Sequence, residues 1–527
     1  MQPQIKIFDS TLRDGAQAEG ISFSVRDKLE IVRLLDDLGV HYIEAGNPAS
    51  NPKELEFFRQ AAGLRLHSAK LCAFGSTRRK GIAAKEDGNC GALLAAGTPA
   101  VAVFGKSSLL HVHEILRTTP HENLRMIEDT CRFFAARGKE VIFDAEHFFD
   151  GYALDEAYAV ETLRAAARGG ASCLALCDTN GGAFPWKIAE AVRALRAQLR
   201  DVPAELGIHT HDDGGMAVAS ACAAVQAGAT QVQGTFLGFG ERVGNANLSA
   251  IIPNLQLKLG FACLHKDQLR ALTQTALQIA SVANVSLHKN MPFVGASAFA
   301  HKAGMHADGV IKNAGSFEHI DPAQVGNRRR FLMSEVAGKA AVLPRVQKIF
   351  PGFDEANIAQ IVTALKAKEF EGYSFEGADA SFDLLIRKSL GDMPTFFGLV
   401  NYKVLDELPY DRKSATATVK LLVDEKLKIA AAEGEGPVNA LDTALREALN
   451  DFYPALRNVQ LLDYKVRIME STVGTSTKVR VLITSGDSRC QWTTVGVSHD
   501  MIEASWEALA DSIVYFLLRE QAGDEID

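Results

Sequence analysis

From residue 5 to about residue 260, short apolar runs alternate with longer stretches in which apolar residues recur at helical spacing. A short apolar run bounded by turn residues is typical of a buried strand, and a longer periodic stretch is typical of an amphipathic helix. The pattern predicts strands at residues 5–8, 42–45, 70–74, 100–104, 140–144, 173–177, 205–209 and 231–235.

The helices predicted between these strands include residues 24–38, 122–137, 155–168, 185–199 and 215–227. Ser24, followed three residues later by Asp27, is a typical N-cap, and glycines stand where several of these helices should end. Eight strand–helix units in about 260 residues predict the α/β class and a (β/α)8 TIM barrel. A doubly wound open sheet is the alternative, and the regularity of the units favours a closed barrel.

The remainder of the chain has two regions with different sequence patterns. Residues 286–395 interrupt the alternation and contain helical segments at 354–369 and 379–389, which predicts helical linker subdomains. From residue 396 to residue 527, strands at 415–423 and 426–431 precede a helix at 438–449, and strands at 460–469, 478–485 and 491–495 precede a helix at 500–518. These two strand–strand–helix repeats predict a duplicated α+β domain. The predicted domains are therefore 1–285, 286–395 and 396–527.

Groups able to bind a metal ion follow two of the barrel strands. Asp14 comes just after the first strand, and His209 and His211 come at the end of the seventh. Residues two apart in a strand point the same way, and barrel active sites lie at the carboxyl ends of the strands. Asn245, in a glycine-rich loop after the eighth strand, offers an amide oxygen as a further ligand. Two imidazoles with two oxygen donors suit Mn²⁺, Mg²⁺ or Zn²⁺.

Other polar residues are predicted at the same rim. Arg13 can neutralise an oxyanion, although a surface ion pair with Asp14 is the competing interpretation. Glu146 can orient a substrate or a base, with a structural ion pair as its alternative. Thr179 offers a hydroxyl suited to a substrate carboxylate. His306, between two glycines of a predicted loop, is a candidate general base that is most easily delivered to the barrel of a partner subunit.

Composition excludes several classes of partner. The 527 residues are 47% hydrophobic and 23% charged, with a formal net charge of −8, and no clustered basic face suggests nucleic acid binding. No signal peptide and no membrane-spanning stretch is recognised. The eight cysteines are scattered without metal-binding spacing, so reduced thiols and a cytoplasmic protein are expected.

Taken together, these motifs resemble the α-isopropylmalate synthase/homocitrate synthase superfamily, and most closely its citramalate synthase branch. The resemblance runs from the first strand into the duplicated C-terminal domain, so it covers nearly the whole chain. The segments that carry it are residues 9–20, 143–152, 177–182, 209–214, 238–247 and 297–309.

The resemblance implies a Claisen-type condensation of acetyl-CoA with a 2-oxo acid, here pyruvate, which yields (R)-citramalate and CoA for isoleucine biosynthesis. It implies that Asp14, His209, His211 and Asn245 bind the divalent metal that holds the 2-oxo acid. It further implies that Arg13 stabilises the alkoxide, Thr179 holds the substrate carboxylate, Glu146 orients the reactants and His306 helps to remove the methyl proton.

The resemblance also implies a homodimer and a regulatory C-terminal domain that binds isoleucine. Three alternatives remain open. The chain can be a 2-isopropylmalate synthase or another acetyl-CoA/2-oxo acid condensing enzyme, which the size of the pocket near Phe104 would decide. It can be a metal-dependent acyl-CoA lyase, which the duplicated domain argues against. It can also be a metabolite sensor without activity, which the intact Arg13, Asp14, His209 and His211 argue against.

Overall fold

The structure, a computed structural model, describes residues 4–302, 304–332, 339–351, 353, 357–407, 415–469 and 477–523. It divides into two compact units. The first comprises Met1–Phe299 and His319–Arg329, and the second comprises Ala300–Glu318 and Arg330–Asp527. The predicted domain boundaries at residues 285 and 395 stay predictions. In the described part of the chain, no helix is both long enough and apolar enough to span a bilayer.

The first unit is built on a closed barrel of eight parallel strands in sequence order, which confirms the predicted TIM barrel and rules out the open sheet. Closure is made by β1 and β8, whose register runs from Lys6 opposite Gln231 to Asp9 opposite Gly234. The strands are β1 Lys6–Asp9, β2 Tyr42–Glu44, β3 Lys70–Ser76, β4 Ala100–Lys106, β5 Glu140–Glu146, β6 Cys173–Asp178, β7 Glu205–Thr210 and β8 Gln231–Gly234.

Helices surround the barrel and begin and end close to the predicted positions. The first starts with a capping box, in which Ser24 and Asp27 each accept a hydrogen bond from the other's backbone N–H, and it ends at Gly39 in the left-handed region. The helices are α1 Val25–Leu38, α2 Pro52–Ala61, α3 Gly88–Ala95, α4 Pro120–Ala135, α5 Phe148–Leu154, α6 Glu156–Arg168, α7 Pro185–Gln198, α8 Ala217–Ala227, α9 Leu248–Pro253, α10 Lys266–Leu269 and α11 Leu272–Val282.

The barrel interior is filled by the side chains that alternate inward along its strands. These form a separate apolar cluster, and the larger hydrophobic core lies around it. Because the inner layer fills the barrel, polar groups at the strand ends sit on a packed floor. The inner cluster consists of Phe8, Tyr42, Cys72, Ala100, Ala102, Ile142, Cys173 and Ala175.

A buried ion pair fixes the end of β2 to the first two helices. The Nζ of Lys28 in α1 contacts both carboxylate oxygens of Glu54 in α2, at 2.6 and 2.7 Å. The same ammonium donates to the carbonyl of Ala45, at 2.9 Å, directly after β2. Lys28 is only 2% exposed, so its charge depends on this partner. The pair holds the strand end that carries Glu44.

The second unit contains short strands and helices followed by two three-stranded sheets. Its first part has β9 Ala300–His301, β10 Arg330–Phe331, α12 Gly304–Lys312, α13 Lys339–Ile349, α14 Ile358–Glu371 and α15 Asp379–Leu390. One antiparallel sheet is formed by β11 Gly398–Asp406, β12 Ala415–Val423 and β13 Lys426–Gly434, and it precedes α16 Pro437–Leu449. The other is formed by β14 Gln460–Ile468, β15 Val479–Gly486 and β16 Gln491–Ser498, and it precedes α17 Met501–Gln521.

The duplication is confirmed, but the predicted repeat of two strands and a helix is wrong. Each copy has three strands, and the prediction missed β11. Most side chains of β11 are exposed, including Leu399, Val400 and Leu405. A strand without a buried face lacks the alternation of apolar and polar residues by which strands are recognised. β12, which alternates buried and exposed positions, was predicted at its observed bounds.

Replacing Glu54 by Gln should lower the free energy of unfolding of the first unit by about 3 kcal/mol or more, because the charge of Lys28 loses its counterion in a buried place. The matched control is Glu56→Gln on the same helix. Glu56 pairs with Arg59, which is 77% exposed, so its loss should change the free energy of unfolding far less. Urea unfolding followed by circular dichroism measures both. Equally small changes would contradict the role of the buried pair.

Candidate active site

A cavity of about 220 Å³ lies in the first unit, at the carboxyl ends of the barrel strands. Charged and aromatic side chains from several strand ends line it, which is the arrangement expected of a barrel active site. The lining residues are Arg13, Asp14, Gln17, Phe74, Phe104, Asp144, Glu146, Cys177, Thr179, His209, His211, Glu241 and Arg242.

Asp14, His209 and His211 meet in this cavity. The Nε2 atoms of the two histidines are 3.3 Å apart, and Oδ2 of Asp14 lies 3.4 Å from Nε2 of His209 and 3.9 Å from that of His211. All three residues are buried, and one donor atom of each lies within 4.8 Å of the other two. Three donors at this spacing can surround one metal ion and leave positions for a substrate.

Asn245 stands beside these three residues. It forms an isolated β-bridge with His211, and its Nδ2 donates to the carbonyl of Phe239 at 3.1 Å. Its Oδ1 is buried and has no hydrogen-bond partner among the described residues. Gly240 lets the loop pass this close, since a Cβ at that position would lie 2.2 Å from Nδ2 of Asn245. A buried amide oxygen without a partner fits a fourth, hard metal ligand.

The electrostatics favour the metal-binding forms of Asp14 and His211, whereas Asp14 stabilises a proton on His209. Burial would raise the pKa of Asp14, but Arg13 and His209 outweigh it and hold the pKa well below its usual range. Burial and the neighbouring His209 lower the pKa of His211 to about 4. For His209, burial is outweighed by the Asp14 carboxylate, which raises its pKa. At neutral pH the cluster therefore offers a carboxylate and a neutral imidazole, and metal binding requires unprotonated ligands.

A hydrogen-bonded chain behind the cluster sets the orientation of His209. Nε2 of Gln233 donates to Oδ1 of Asp144 at 2.9 Å, and Oε1 of Gln233 lies 3.0 Å from Nδ1 of His209. Because the amide oxygen can only accept, Nδ1 of His209 carries the proton and Nε2 presents its lone pair to the cavity. We did not predict Gln233 or Asp144 for this role. The feature of the sequence that could have identified Gln233 is a polar glutamine inside a buried parallel strand.

Arg13 is locked in the cavity wall. Its Nε donates to Glu44 at 2.6 Å, its NH1 lies 2.9 Å from Oδ2 of Asp14, and its guanidinium carbon lies 3.8 Å from the centre of the Phe74 ring. The ion pair with Asp14 does form, but it is buried, so the interpretation as a surface pair is wrong. Burial opposes the charge of Arg13, and Glu44 and Asp14 outweigh burial and raise its pKa. The cavity therefore contains a fixed positive charge next to the metal-binding cluster.

Glu146 forms an ion pair with Lys106, because β4 and β5 place these two residues side by side in register. Both interpretations of Glu146 thus have support, since the acid is paired and also lines the cavity. Lys106 went unrecognised in the sequence, where it appears as an ordinary lysine after a strand. Phe104 borders the cavity, and its ring stacks on that of Phe74 with the centres 5.1 Å apart.

His306 belongs to the second unit and lies on α12, so the prediction of a loop at this position is wrong. It is exposed, and its ring stacks on that of Phe317 with the centres 4.1 Å apart. The glycine at position 309 does not break the helix. A Cβ there would lie 2.6 Å from the Phe317 ring, so this glycine makes room for the aromatic side chain.

Comparison with known proteins gives three matches to family models along the chain. Residues 4–283 match the HMGL-like family, residues 293–372 the homocitrate synthase post-HMGL domain-like family, and residues 376–517 the LeuA allosteric (dimerisation) domain. The chain is 48% identical to an (R)-citramalate synthase of Aquifex aeolicus, with 99% of each chain covered. It is 45% identical to that of Geobacter sulfurreducens, with 98% of each covered. A 2-isopropylmalate synthase of Methanocaldococcus jannaschii is 29% identical, with 98% of this chain and 96% of the other covered.

Replacing Gln233 by Leu should weaken Mn²⁺ binding about 10- to 100-fold, because the partner that orients His209 is lost. Gln231→Leu is the matched control, since Gln231 is equally buried on the same strand and contacts Gln233 instead of a histidine. Titration of free Mn²⁺ by electron paramagnetic resonance measures both without an activity assay. Equal affinities for the two variants would argue against the proposed orientation of His209.

Proposed function

The chain belongs to the (R)-citramalate synthases, within the HMGL-like family, and from this membership we propose that it condenses acetyl-CoA with pyruvate to give (R)-citramalate and CoA. A methyl proton leaves the acetyl group, and the carbon bonds to the keto carbon of pyruvate, whose oxygen takes up the electron pair. Water then hydrolyses the thioester and releases CoA. The observation that best supports this proposal is that Asp14, His209 and His211 converge in one cavity of a chain related to these synthases.

Asp14, His209 and His211, with Asn245, would hold a divalent cation, Mn²⁺, Mg²⁺ or Zn²⁺. The fit is supported by the spacing of the three donors and by the buried amide oxygen of Asn245. When bound, such a cation supplies Lewis-acid polarisation of the keto group of a 2-oxo acid.

Arg13 stabilises the negative charge that develops on the former keto oxygen. Its guanidinium is held by Glu44 on one side and by the Phe74 ring on its face. A donor fixed before the reaction needs no reorganisation when the charge appears, which is the main source of electrostatic catalysis. Since Asp14 shares the same guanidinium, Arg13 also couples the ligand cluster to the reacting oxygen.

We assign removal of the methyl proton to His306 and orientation of the reactants to Glu146. A general base must reach the proton that it removes, and the imidazole of His306 is exposed on α12 and can accept a proton. Glu146 is held by Lys106 and lines the cavity. Its ion pair keeps the carboxylate at one position, as an orienting group requires.

Thr179 and Phe104 select the 2-oxo acid. The Thr179 hydroxyl lines the cavity and would donate to the carboxylate of pyruvate. The stacked rings of Phe74 and Phe104 form part of the cavity wall, where the side chain of the 2-oxo acid would lie. Pyruvate is favoured over 2-oxoisovalerate by the higher identity to (R)-citramalate synthases, 48% and 45%, than to the 2-isopropylmalate synthase, 29%.

The second unit is proposed to form a homodimer and to bind isoleucine, the end product of the pathway that citramalate feeds. Support comes from the match of residues 376–517 to the LeuA allosteric (dimerisation) domain and from the duplicated three-stranded sheets. A cytoplasmic location is proposed with it, because all eight cysteines are free thiols.

We expect CoA release only when acetyl-CoA, a divalent metal and pyruvate are all present, with 2-oxoisovalerate a much poorer acceptor. Phe104→Ala should widen the cavity and shift the preference toward 2-oxoisovalerate by about 10-fold or more, the size of effect that one or two buried methyl groups have on specificity. A thiol reagent follows the released CoA. Equal or faster release with 2-oxoisovalerate in the unmodified enzyme would favour the 2-isopropylmalate synthase alternative.

Isoleucine should inhibit the full-length enzyme, and leucine and valine at the same concentration should inhibit it less. The reason is that an end product is recognised by the shape of its side chain in a site separate from the cavity, which gives a coupling free energy between the two sites. Initial rates at increasing amino acid concentration, with saturating substrates, measure this. Identical rates with and without isoleucine would leave the regulatory proposal unsupported.

A further inference from the structure

The turn between β5 and α5 contains a residue in an unusual backbone conformation. His147 has φ 57° and ψ 34°, in the left-handed region, and it caps the first turn of α5. Residues with a Cβ adopt this conformation rarely, and those that do are concentrated at functional sites. The position directly follows Glu146, which lines the cavity.

The peptide group that joins Glu146 to His147 makes hydrogen bonds on both of its sides. The carbonyl of Glu146 accepts a hydrogen bond from the backbone N–H of Ser107, at 3.0 Å, after β4. The backbone N–H of His147 points the other way and donates to Oγ1 of Thr179, at 2.8 Å, after β6. The turn thus connects the loops that follow β4 and β6, the strands on either side of β5. One of the two hydrogen bonds is accepted by the side chain of Thr179, which lines the cavity.

The bond from His147 determines what the Thr179 hydroxyl can do. A hydroxyl has one proton to donate and two lone pairs that accept. The N–H of His147 occupies a lone pair and leaves the proton available, and the carbonyl of Thr179 is held separately by Arg242 at 2.8 Å. A hydroxyl that is already accepting is therefore set to donate, and a carboxylate is an acceptor.

We propose that His147 is a positioning residue, whose left-handed backbone N–H commits the Thr179 hydroxyl to donate its proton to the carboxylate of the 2-oxo acid. The inference rests on the proposed function, in which Thr179 contacts that carboxylate. The backbone N–H of His147 orients the Thr179 hydroxyl, and the imidazole ring only supports the turn.

The ring holds the turn in place. It stacks on His111, with the ring centres 3.7 Å apart and an angle of 16° between the planes, and its Nδ1 lies 3.4 Å from Oδ2 of Asp150. The same carboxylate oxygen accepts from Nδ2 of Asn180 at 2.8 Å, next to Thr179. His111 begins a π-helical turn, His111–Ile115, a feature often found at functional sites.

Three substitutions that all remove the ring separate the backbone from the side chain. Gly and Asn adopt the left-handed conformation readily, and β-branched Val does not. We expect His147→Val to raise KM for pyruvate about tenfold, equivalent to about 1.4 kcal/mol, with KM for acetyl-CoA changed less than about twofold. His147→Gly and His147→Asn should keep KM for pyruvate within about threefold of the unmodified enzyme, because the N–H stays in place. His147→Ala, with less strain, substitutes for the Val variant if that protein does not fold.

Gly and Asn variants as impaired as Val would overturn the proposal, because the ring and not the backbone would then matter. A Val variant with unchanged KM for pyruvate, or with both KM values raised alike, would also overturn it. Thr179→Val tests the underlying assumption. If it raises KM for pyruvate and His147→Val adds nothing further to it, the two residues act through one bond. If Thr179→Val leaves KM for pyruvate unchanged, the assignment of Thr179 in the proposed function fails, whatever the His147 variants do.

Discussion

Closure of the barrel between β1 and β8 is the constraint on which the site depends. Asp14 follows β1 and the two histidines lie at and just after the end of β7, so these groups are far apart in the sequence. They become neighbours only because β8 pairs with β1 on one side and with β7 on the other. An open sheet would leave β1 without β8 and would separate the carboxylate from the imidazoles. The geometry of the ligand cluster is therefore a property of the closed fold.

Burial then sets the chemistry of the cluster. Several acids at the strand ends are buried, among them Asp9, Glu44 and Asp144. Burial raises the pKa of Asp9 to about 7, and burial together with Glu44 raises that of Asp144 to about 7. Asp14 remains anionic in the same surroundings because Arg13 and His209 stabilise its charge. Asp14 is thus kept charged among acids whose pKa values burial raises.

The sequence was sufficient for the barrel and for the ligand cluster, because both depend on periodic patterns. Buried parallel strands appear as short apolar runs, and residues two apart on a strand must share a face, so the pairing of His209 with His211 could be predicted. The contacts of Gln233 and Lys106 could not, because they depend on the register between strands that are distant in sequence. The left-handed conformation of His147 could not be predicted, because nothing in the sequence around this histidine indicates a positive φ angle. The β11 strand was missed because most of its side chains are exposed and its apolar residues do not alternate regularly with polar ones.

Asp144 and His209 are connected by hydrogen bonds through Gln233, and a glutamine at this position affects proton transfer between them. Asp144 titrates near neutrality, so its protonation state changes over the range in which enzymes usually work. A carboxylate or an imidazole in place of Gln233 would relay that change to His209 as a transferred proton. An amide neither gains nor loses a proton in this range, so Gln233 cannot pass a proton from Asp144 to His209. His209 is held in one tautomer by a partner that is itself insensitive to acidity.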